Sequence, residues 1–163
     1  MWTVMESPVG PLRIVEQGGS ITAIEFSPFP PAGQRHDGRV RGERDDTHPL
    51  LAECVRQLGA YFARDLRAFD LPLAPRGSEF QQRVWAQLRA IGWGETASYG
   101  EIAHRLGMTN AASRAVGLAN GRNPIPIVVP CHRVIGANGT LTGYAGGLER
   151  KQLLLSLEQD ALF

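Results

Sequence analysis

The sequence predicts an α+β fold in two parts: a small N-terminal α/β unit over residues 1–75, packed on a mainly helical C-terminal domain over residues 76–163. Two observations lead to this prediction. Near the N-terminus apolar and polar residues alternate with a period of two, which is typical of half-buried strands. After Gly77 the apolar residues recur with helical spacing, and a single short apolar segment, Ile125 to Val129, interrupts them.

The N-terminal part reads as a meander of short antiparallel strands. Turn-forming sequences, Ser7-Pro8-Val9-Gly10 and Gln17-Gly18-Gly19-Ser20, separate its alternating stretches. Those stretches are residues 2–5, 12–15 and 21–26. Residues 28–47 begin with Pro and Gly and continue with mixed charges, which predicts a loop.

A helix is predicted over residues 48–64, and residues 69–73 are predicted to close the sheet as an edge strand because of Pro72. The apolar stripe of the helix is predicted to be Leu51, Val55, Leu58 and Phe62. Cys54 lies beside this stripe, and we interpret it as a small buried hydrophobe.

The C-terminal part opens with Ser78-Glu79-Phe80-Gln81, which has the form of a capping box. The helix that follows is expected to end at Gly92. Its predicted apolar positions are Val84, Trp85, Leu88 and Ile91.

Residues 96–121 predict a helix-turn-helix. Ser98 is placed to cap a first helix that ends at Gly107, and Asn110 to cap a second over Ala111 to Leu118. The buried face of the first helix is predicted to be Ile102, Ala103 and Leu106. In the second helix only Arg114 is large and charged, so it can read little base sequence but can approach a DNA backbone or groove closely.

The most informative stretch runs from Asn123 to Val134. Three prolines, Pro124, Pro126 and Pro130, predict a stiff, extended arm that ends on Cys131. His132 and Arg133 follow at once, and cationic neighbours can lower a thiol pKa from about 8.5 to roughly 3.5–7.5. These residues favour a nucleophilic thiolate over the alternative of a buried, inert cysteine. A direct contact between Cys131 and His132 does not follow from their adjacency.

The chain then continues through a tight turn, Ala137-Asn138-Gly139, and a glycine-rich loop over residues 142–147. A closing helix is predicted over residues 148–159, with Leu153, Leu154 and Leu157 as its apolar face. Glu158 lies near its end, where the simplest interpretation is a surface acid.

Composition narrows the class of protein. The net charge of +1 combines −2 over residues 1–75 with +3 over residues 76–163, a bias too weak to indicate DNA binding alone. No apolar run of membrane-spanning length and no signal peptide is found, so a cytoplasmic protein is expected. The two cysteines and four histidines lack zinc-site spacing, so neither a metal nor another cofactor is expected, and a disulfide is disfavoured.

Residues 127–134, Ile-Val-Val-Pro-Cys-His-Arg-Val, resemble the signature of the O6-alkylguanine-DNA alkyltransferases, also called methylated-DNA–protein-cysteine methyltransferases. The resemblance is strong over residues 78–158 and looser over residues 1–77. Segments that share it include Phe80 to Trp85, Ser113 to Gly117 and Gly143 to Leu148. It implies a ribonuclease-H-like N-terminal unit and a winged-helix-like C-terminal domain.

The resemblance also implies roles. Cys131 would accept one alkyl group from O6-alkylguanine in double-stranded DNA and would keep it as a thioether, and the resemblance leaves O4-alkylthymine open as a second substrate. Glu158, His132 and a water would deprotonate Cys131, and Asn123 would brace the arm. The second helix would lie in the minor groove through Ala112, Ser113 and Gly117, with Arg114 filling the gap left by a flipped base.

The flipped base would be held by Tyr99, Val134, Tyr144 and Ala145, the last a position where some relatives carry Ser. The resemblance implies a monomer in solution and leaves cooperative assembly on DNA open. Three other classes stay open from the residues alone. A non-enzymatic damage sensor would lack the cysteine, a helix-turn-helix regulator would need a richer recognition helix, and a cysteine hydrolase would need an oxyanion motif.

Overall fold

The computed structural model describes residues 1–30, 42–144 and 146–159. The chain divides into two compact units, Met1–Arg76 and Gly77–Phe163. Within the described ranges, no helix has the length and apolar character needed to cross a membrane. The strands are β1 Trp2–Met5, β2 Leu12–Gln17, β3 Ser20–Phe26, β4 Ala97–Ser98 and β5 Val134–Ile135. The α-helices are α1 Pro49–Phe62, α2 Glu79–Arg89, α3 Tyr99–Arg105, α4 Ser113–Gly121 and α5 Leu148–Leu157.

The N-terminal unit contains the predicted meander, an antiparallel sheet in the order β1-β2-β3. The turn between β2 and β3 has two residues, Gly18 and Gly19, with φ of 60° and 84°. Two positive φ angles in succession are what a type I′ hairpin requires, and glycine supplies them without a steric penalty. The Gly-Gly pair therefore determines the register, in which Gln17 lies opposite Ser20.

Helix α1 packs against this sheet with a face slightly rotated from the predicted one. Leu51 and Leu58 are buried as expected, but Cys54 and Tyr61 complete the stripe in place of Val55 and Phe62. The predicted and the observed stripes both have helical spacing. They differ by the exchange of neighbouring residues, which lie about 100° apart around the helix axis. Tyr61 buries its ring beside Phe69, with ring centroids 5.5 Å apart, so contacts across the unit select between the two stripes.

The predicted edge strand over residues 69–73 is wrong except at one residue. Leu73 forms a single parallel bridge with Ile21. The Ile21 amide donates to the Pro72 carbonyl at 2.8 Å, and the Ala74 amide donates to the Ile21 carbonyl at 2.9 Å. Pro72 has no N–H to donate, so the ladder cannot extend toward residue 69. Most of the predicted loop over residues 28–47 lies outside the described residues.

The C-terminal unit begins with the predicted capping box. The Gln81 amide donates to Ser78 Oγ at 3.2 Å, and the Ser78 amide donates to Gln81 Oε1 at 2.9 Å. Helix α2 ends at Arg89, earlier than expected, although Ile91 is still buried. Trp85 is buried and its Nε1 donates to the Ala119 carbonyl at 2.8 Å, which attaches α2 to α4.

Helices α3 and α4 form the predicted helix-turn-helix. Ser98 and Glu101 make a capping box at the start of α3, and Gly107, with φ of 76°, follows its end. The predicted cap at Asn110 is wrong. Residues Asn110–Ala112 form a 3-10 turn, and α4 begins at Ser113 without a side-chain cap. The Asn110 side chain instead lies close to Gly100, where a Cβ atom would come within 2.8 Å of Asn110 Oδ1.

We expect Ser78→Ala to lower the free energy of unfolding by about 1 kcal/mol, because the Gln81 amide loses the Ser78 hydroxyl that accepts its hydrogen bond. In a chain of this size that corresponds to a melting temperature lower by about 2–4 °C, measurable by thermal unfolding followed by circular dichroism. Ser78→Asp keeps a capping acceptor and should melt close to the wild type. Identical melting of Ser78→Ala and the wild type would contradict the capping role.

Candidate active site

The segment from Asn123 to Pro130 is folded back on itself, so the predicted extended arm is wrong. The Val128 amide donates to the Pro126 carbonyl at 2.9 Å, which closes a γ-turn around Ile127. The Cys131 amide donates to the Val129 carbonyl at 2.8 Å, which closes a second γ-turn around Pro130. Proline restricts φ, but both extended and γ-turn conformations are compatible with that restriction.

Ile127 has φ of +73°, a rare conformation for a β-branched residue that costs on the order of 1–3 kcal/mol. Two asparagines offset this cost by holding the segment. Asn123 donates from Nδ2 to the Val129 carbonyl at 2.8 Å and accepts from the Ile125 amide at 3.0 Å. Asn120, in α4, donates to the Cys131 carbonyl at 3.3 Å. The second helix of the helix-turn-helix is thereby attached to the backbone of the cysteine.

Cys131 begins a 3-10 turn, Cys131–Arg133, and is 2% exposed. Burial raises the pKa of its thiol to about 11. Side-chain hydrogen bonds with Asn123 and Tyr144, and the positive charge of Lys151, act in the opposite direction. The expectation that His132 and Arg133 lower this pKa is therefore wrong, because desolvation dominates and both side chains are engaged elsewhere. The resting thiol carries its proton and needs a base.

His132 and Arg133 both contact Glu158. His132 Nε2 lies 2.7 Å from Glu158 Oε2, and Arg133 donates from Nε to Oε1 at 2.8 Å and from Nη2 to Oε2 at 3.0 Å. Arg133 Nη1 also donates to the Ile91 carbonyl at 2.6 Å. Glu158 is 2% exposed, so its interpretation as a surface acid is wrong. A carboxylate that accepts two N–H bonds from one arginine stays ionised. An ionised carboxylate can only accept a hydrogen bond, and we therefore assign the His132 proton to Nε2.

The electrostatics of His132 suit a proton acceptor. It is fully buried, and burial lowers the pKa of its imidazole, while the hydrogen bond with Glu158 acts in the opposite direction. Its Nδ1 has no hydrogen-bond partner among the described residues. A neutral ring that donates from Nε2 keeps a lone pair on Nδ1. His132 can therefore accept a proton at Nδ1 while Glu158 stabilises the resulting charge.

Lys151 is the residue that sequence reasoning missed. It is the only lysine in the chain and is fully buried in α5. Its Nζ donates to the Val134 carbonyl at 2.6 Å and to the Thr142 carbonyl at 3.2 Å. Burial lowers its pKa, and the proximity of Cys131 acts in the opposite direction. The signal available in the sequence was spacing, because Lys151, Leu154 and Glu158 lie three and four positions apart.

The buried face of α5 is consequently not the predicted one. Leu154 is buried as expected, but Leu153 and Leu157 are only partly buried, whereas Lys151 and Glu158 point inward. Apolar content alone therefore gave the wrong face, since two charged residues find enough hydrogen-bond donors and acceptors to be buried.

The predicted base-pocket residues lie around the cysteine turn. Val134 follows this turn and is fully buried, and Tyr144 is mostly buried and acts to lower the pKa of the Cys131 thiol. Tyr99 is the first residue of α3, and its hydroxyl oxygen lies 2.6 Å from Thr142 Oγ1. Ala145 lies outside the described residues.

The residues predicted to contact DNA lie at the N-terminal half of α4 and just before it. Arg114 is exposed, while Ala112, Ser113 and Gly117 are partly buried. The Tyr99 ring lies beside Gly117, where an added Cβ atom would meet it at 3.6 Å, an ordinary van der Waals distance. An open groove of about 500 Å³ runs beside it, lined by Tyr99, Gly100, Asn110 and Ser113 among others. In the described part of the chain, no group of three or more His, Cys, Asp or Glu side chains is arranged to hold a metal ion.

Comparison with family models matches both units. Residues 79–160 match the DNA-binding domain of 6-O-methylguanine DNA methyltransferase, and residues 1–75 match its ribonuclease-like domain. The chain is 51% identical to a methylated-DNA–protein-cysteine methyltransferase of Mycolicibacterium paratuberculosis, over 97% of this chain and 92% of that protein. It is 49% identical to one of Methanosarcina acetivorans, over 96% and 97% of the two chains.

Solved structures give the same result. The crystal structure of Mycobacterium tuberculosis O6-methylguanine methyltransferase has a TM-score of 0.86 and 46% identity, over 99% of this chain and 94% of that one. A structure of the M. tuberculosis protein OGT in complex with DNA has a TM-score of 0.80 and 47% identity, over 96% and 91%. The chain belongs to the 6-O-methylguanine DNA methyltransferase family.

Proposed function

We propose that this protein repairs DNA by direct reversal, moving a methyl or larger alkyl group from the O6 atom of guanine in duplex DNA to Cys131. The observation that supports this most is the surroundings of the thiol. Within a DNA-binding domain of this family, Cys131 is buried against Asn123, Tyr144 and the ammonium of Lys151. Hydrogen-bond donors and a fixed positive charge around a sulfur favour the thiolate at the moment it forms.

The proton of the thiol needs an acceptor, and His132 is the proposed one. Its Nδ1 lone pair would take the proton through a bridging water. A water is needed because Nδ1 has no hydrogen bond to the Cys131 sulfur or to any other described residue. Glu158 would stabilise the imidazolium that forms, through the 2.7 Å contact with Nε2. Arg133 keeps Glu158 ionised, so its effect on the Cys131 thiol passes through Glu158 and His132.

The transfer itself is a single displacement. The sulfur forms a bond to the alkyl carbon, the bond from that carbon to O6 breaks, and its electron pair leaves with the guanine. Cys131 then carries a thioether, which water does not hydrolyse under mild conditions. Each molecule would act once, as a stoichiometric acceptor of one alkyl group.

Access to O6 requires the base to leave the duplex. We propose that α4 docks in the minor groove, which its small residues suit, and that Arg114 fills the space of the flipped nucleotide. Tyr99 would hydrogen-bond the flipped base, and backbone groups near Cys131, Val134 and Ala145 would hold its edge. The Cys131 and Val134 carbonyls already accept from Asn120 and Lys151, but a carbonyl oxygen has two lone pairs and can accept again.

We expect intact-protein mass spectrometry to show a gain of one methyl group per molecule after incubation with a duplex that contains O6-methylguanine. The gain should map to Cys131 and be absent in Cys131→Ser. Cys54→Ser is the matched control and should be methylated like the wild type, because burial raises the pKa of the Cys54 thiol to about 12. No adduct, or an adduct on Cys54, would sink the proposed function.

We expect Arg114→Ala to slow repair of duplex DNA by about 100-fold, since an unstacked base then has nothing to take its place in the helix and flipping costs a few kcal/mol. Reaction with the free base O6-benzylguanine, which needs no flipping, should change by less than roughly twofold. The comparison is of second-order rates of Cys131 alkylation. Arg89→Ala removes an exposed arginine from α2 and is the control. Equal losses on both substrates would exclude the proposed role of Arg114.

We expect Lys151→Met to raise the pKa of the Cys131 thiol, because a positive charge that favours the thiolate is lost. Alkylation of Cys131 at neutral pH, where Lys151 carries its charge, should therefore slow. Arg150→Met removes a charge at the adjacent position and should keep the wild-type alkylation rate. A rate that is unchanged in Lys151→Met, with the fold intact, would contradict the electrostatic role.

A further inference from the structure

Thr142 lies in the loop before α5 and contacts two groups of the site. Its Oγ1 is 2.6 Å from the Tyr99 hydroxyl oxygen, and its carbonyl accepts from Lys151 Nζ at 3.2 Å. Lys151 also donates to the Val134 carbonyl at 2.6 Å. The ammonium thereby fixes the backbone of Thr142 relative to the cysteine turn, and the Thr142 hydroxyl is held at a set position against Tyr99.

One hydrogen bond joins the two hydroxyl groups, and either group can be its donor. Which group donates determines whether Tyr99 can donate its own proton to another partner. If Tyr99 donates to Thr142, the phenolic proton points toward Thr142 and away from a nucleobase in the pocket. If Thr142 donates to Tyr99, the phenolic proton is free to be donated elsewhere. The second arrangement also makes Tyr99 a stronger donor, because an accepted hydrogen bond polarises the O–H bond of the hydroxyl that accepts it.

The leaving guanine is where a stronger donor matters. As the bond from the alkyl carbon to O6 breaks, its electron pair stays on the base, and negative charge spreads over the ring nitrogens. A hydrogen bond that strengthens as this charge develops lowers the barrier, whereas one equally strong before and after does not. A donor aimed before the reaction begins also needs no reorientation while the charge forms.

We propose that Thr142 is a positioning residue, whose hydroxyl donates to the Tyr99 oxygen and so aims the phenolic proton at the flipped guanine. The proposal rests on the proposed function. Thr142 itself touches neither the alkyl group nor the sulfur, and it acts through Tyr99. Its methyl group contributes packing that valine would retain, so the hydroxyl and the shape of the side chain can be separated by substitution.

The test compares Thr142→Val, which removes the hydroxyl, with Thr142→Ser, which keeps it. Thr140→Val is the matched control, because Thr140 lies two residues earlier and its hydroxyl donates to Asn138 in an exposed turn. The measurements are the maximal rate of Cys131 methylation at saturating duplex and, separately, the affinity for the duplex. We expect Thr142→Val to lower the maximal rate about tenfold, the effect of losing one well-aligned hydrogen bond.

Thr142→Ser and Thr140→Val should both stay within roughly twofold of the wild-type maximal rate, and the affinity for the duplex should not change. In a Tyr99→Phe background, Thr142→Val should have no further effect, since its hydrogen-bond partner is gone. The proposal is overturned if Thr142→Val reacts like Thr140→Val, if Thr142→Ser is as slow as Thr142→Val, or if the loss persists in Tyr99→Phe. A wild-type chain that gains no methyl group overturns the proposed function and this proposal together. Wild-type transfer with any of those three outcomes overturns this proposal alone.

Discussion

The buried carboxylate of Glu158 is the constraint on which the rest of the site depends. It accepts one hydrogen bond from His132 and two from Arg133. Arg133 also donates to the carbonyl of Ile91, which lies just beyond the end of α2. One carboxylate thus joins the end of α5, the end of α2 and the turn that begins at Cys131. A buried charge that loses its partner costs about 3–5 kcal/mol, so His132 and Arg133 are held in one orientation. The tautomer of His132 follows from that orientation.

The second constraint is the connection between α4 and the cysteine. Trp85 attaches α2 to α4, Asn120 reaches from α4 to the Cys131 carbonyl, and Asn123 closes the folded segment in between. The positive φ of Ile127 is stable only because these contacts hold it. In the proposed mechanism, α4 touches the DNA, so the position of the helix in the groove and the position of the sulfur are determined by the same few hydrogen bonds.

The surroundings of the Cys131 thiol set its protonation state at rest. Burial raises the pKa of Cys131, while Lys151, Asn123 and Tyr144 oppose this effect. Desolvation outweighs them in the free protein, which keeps the thiol protonated. Under the proposed mechanism the balance changes only when a proton acceptor, a flipped base and the surrounding donors act together, so reactivity is restricted to the intended substrate.

Local patterns in the sequence determined the meander, the hairpin at Gly18 and Gly19, the capping boxes at Ser78 and Ser98 and the helix-turn-helix, because each depends on residues close in the chain. The signature around Cys131 identified the family, and the roles given to Arg114, Tyr99 and Asn123 remain predictions. Only the tertiary structure decided which faces of α1 and α5 are buried, that the proline segment folds back, and that the Cys131 pKa rises. It alone showed Lys151 and Glu158 buried within the site and Thr142 against Tyr99. Desolvation and the pairing of distant side chains set these features, and neither can be read from neighbours in the sequence.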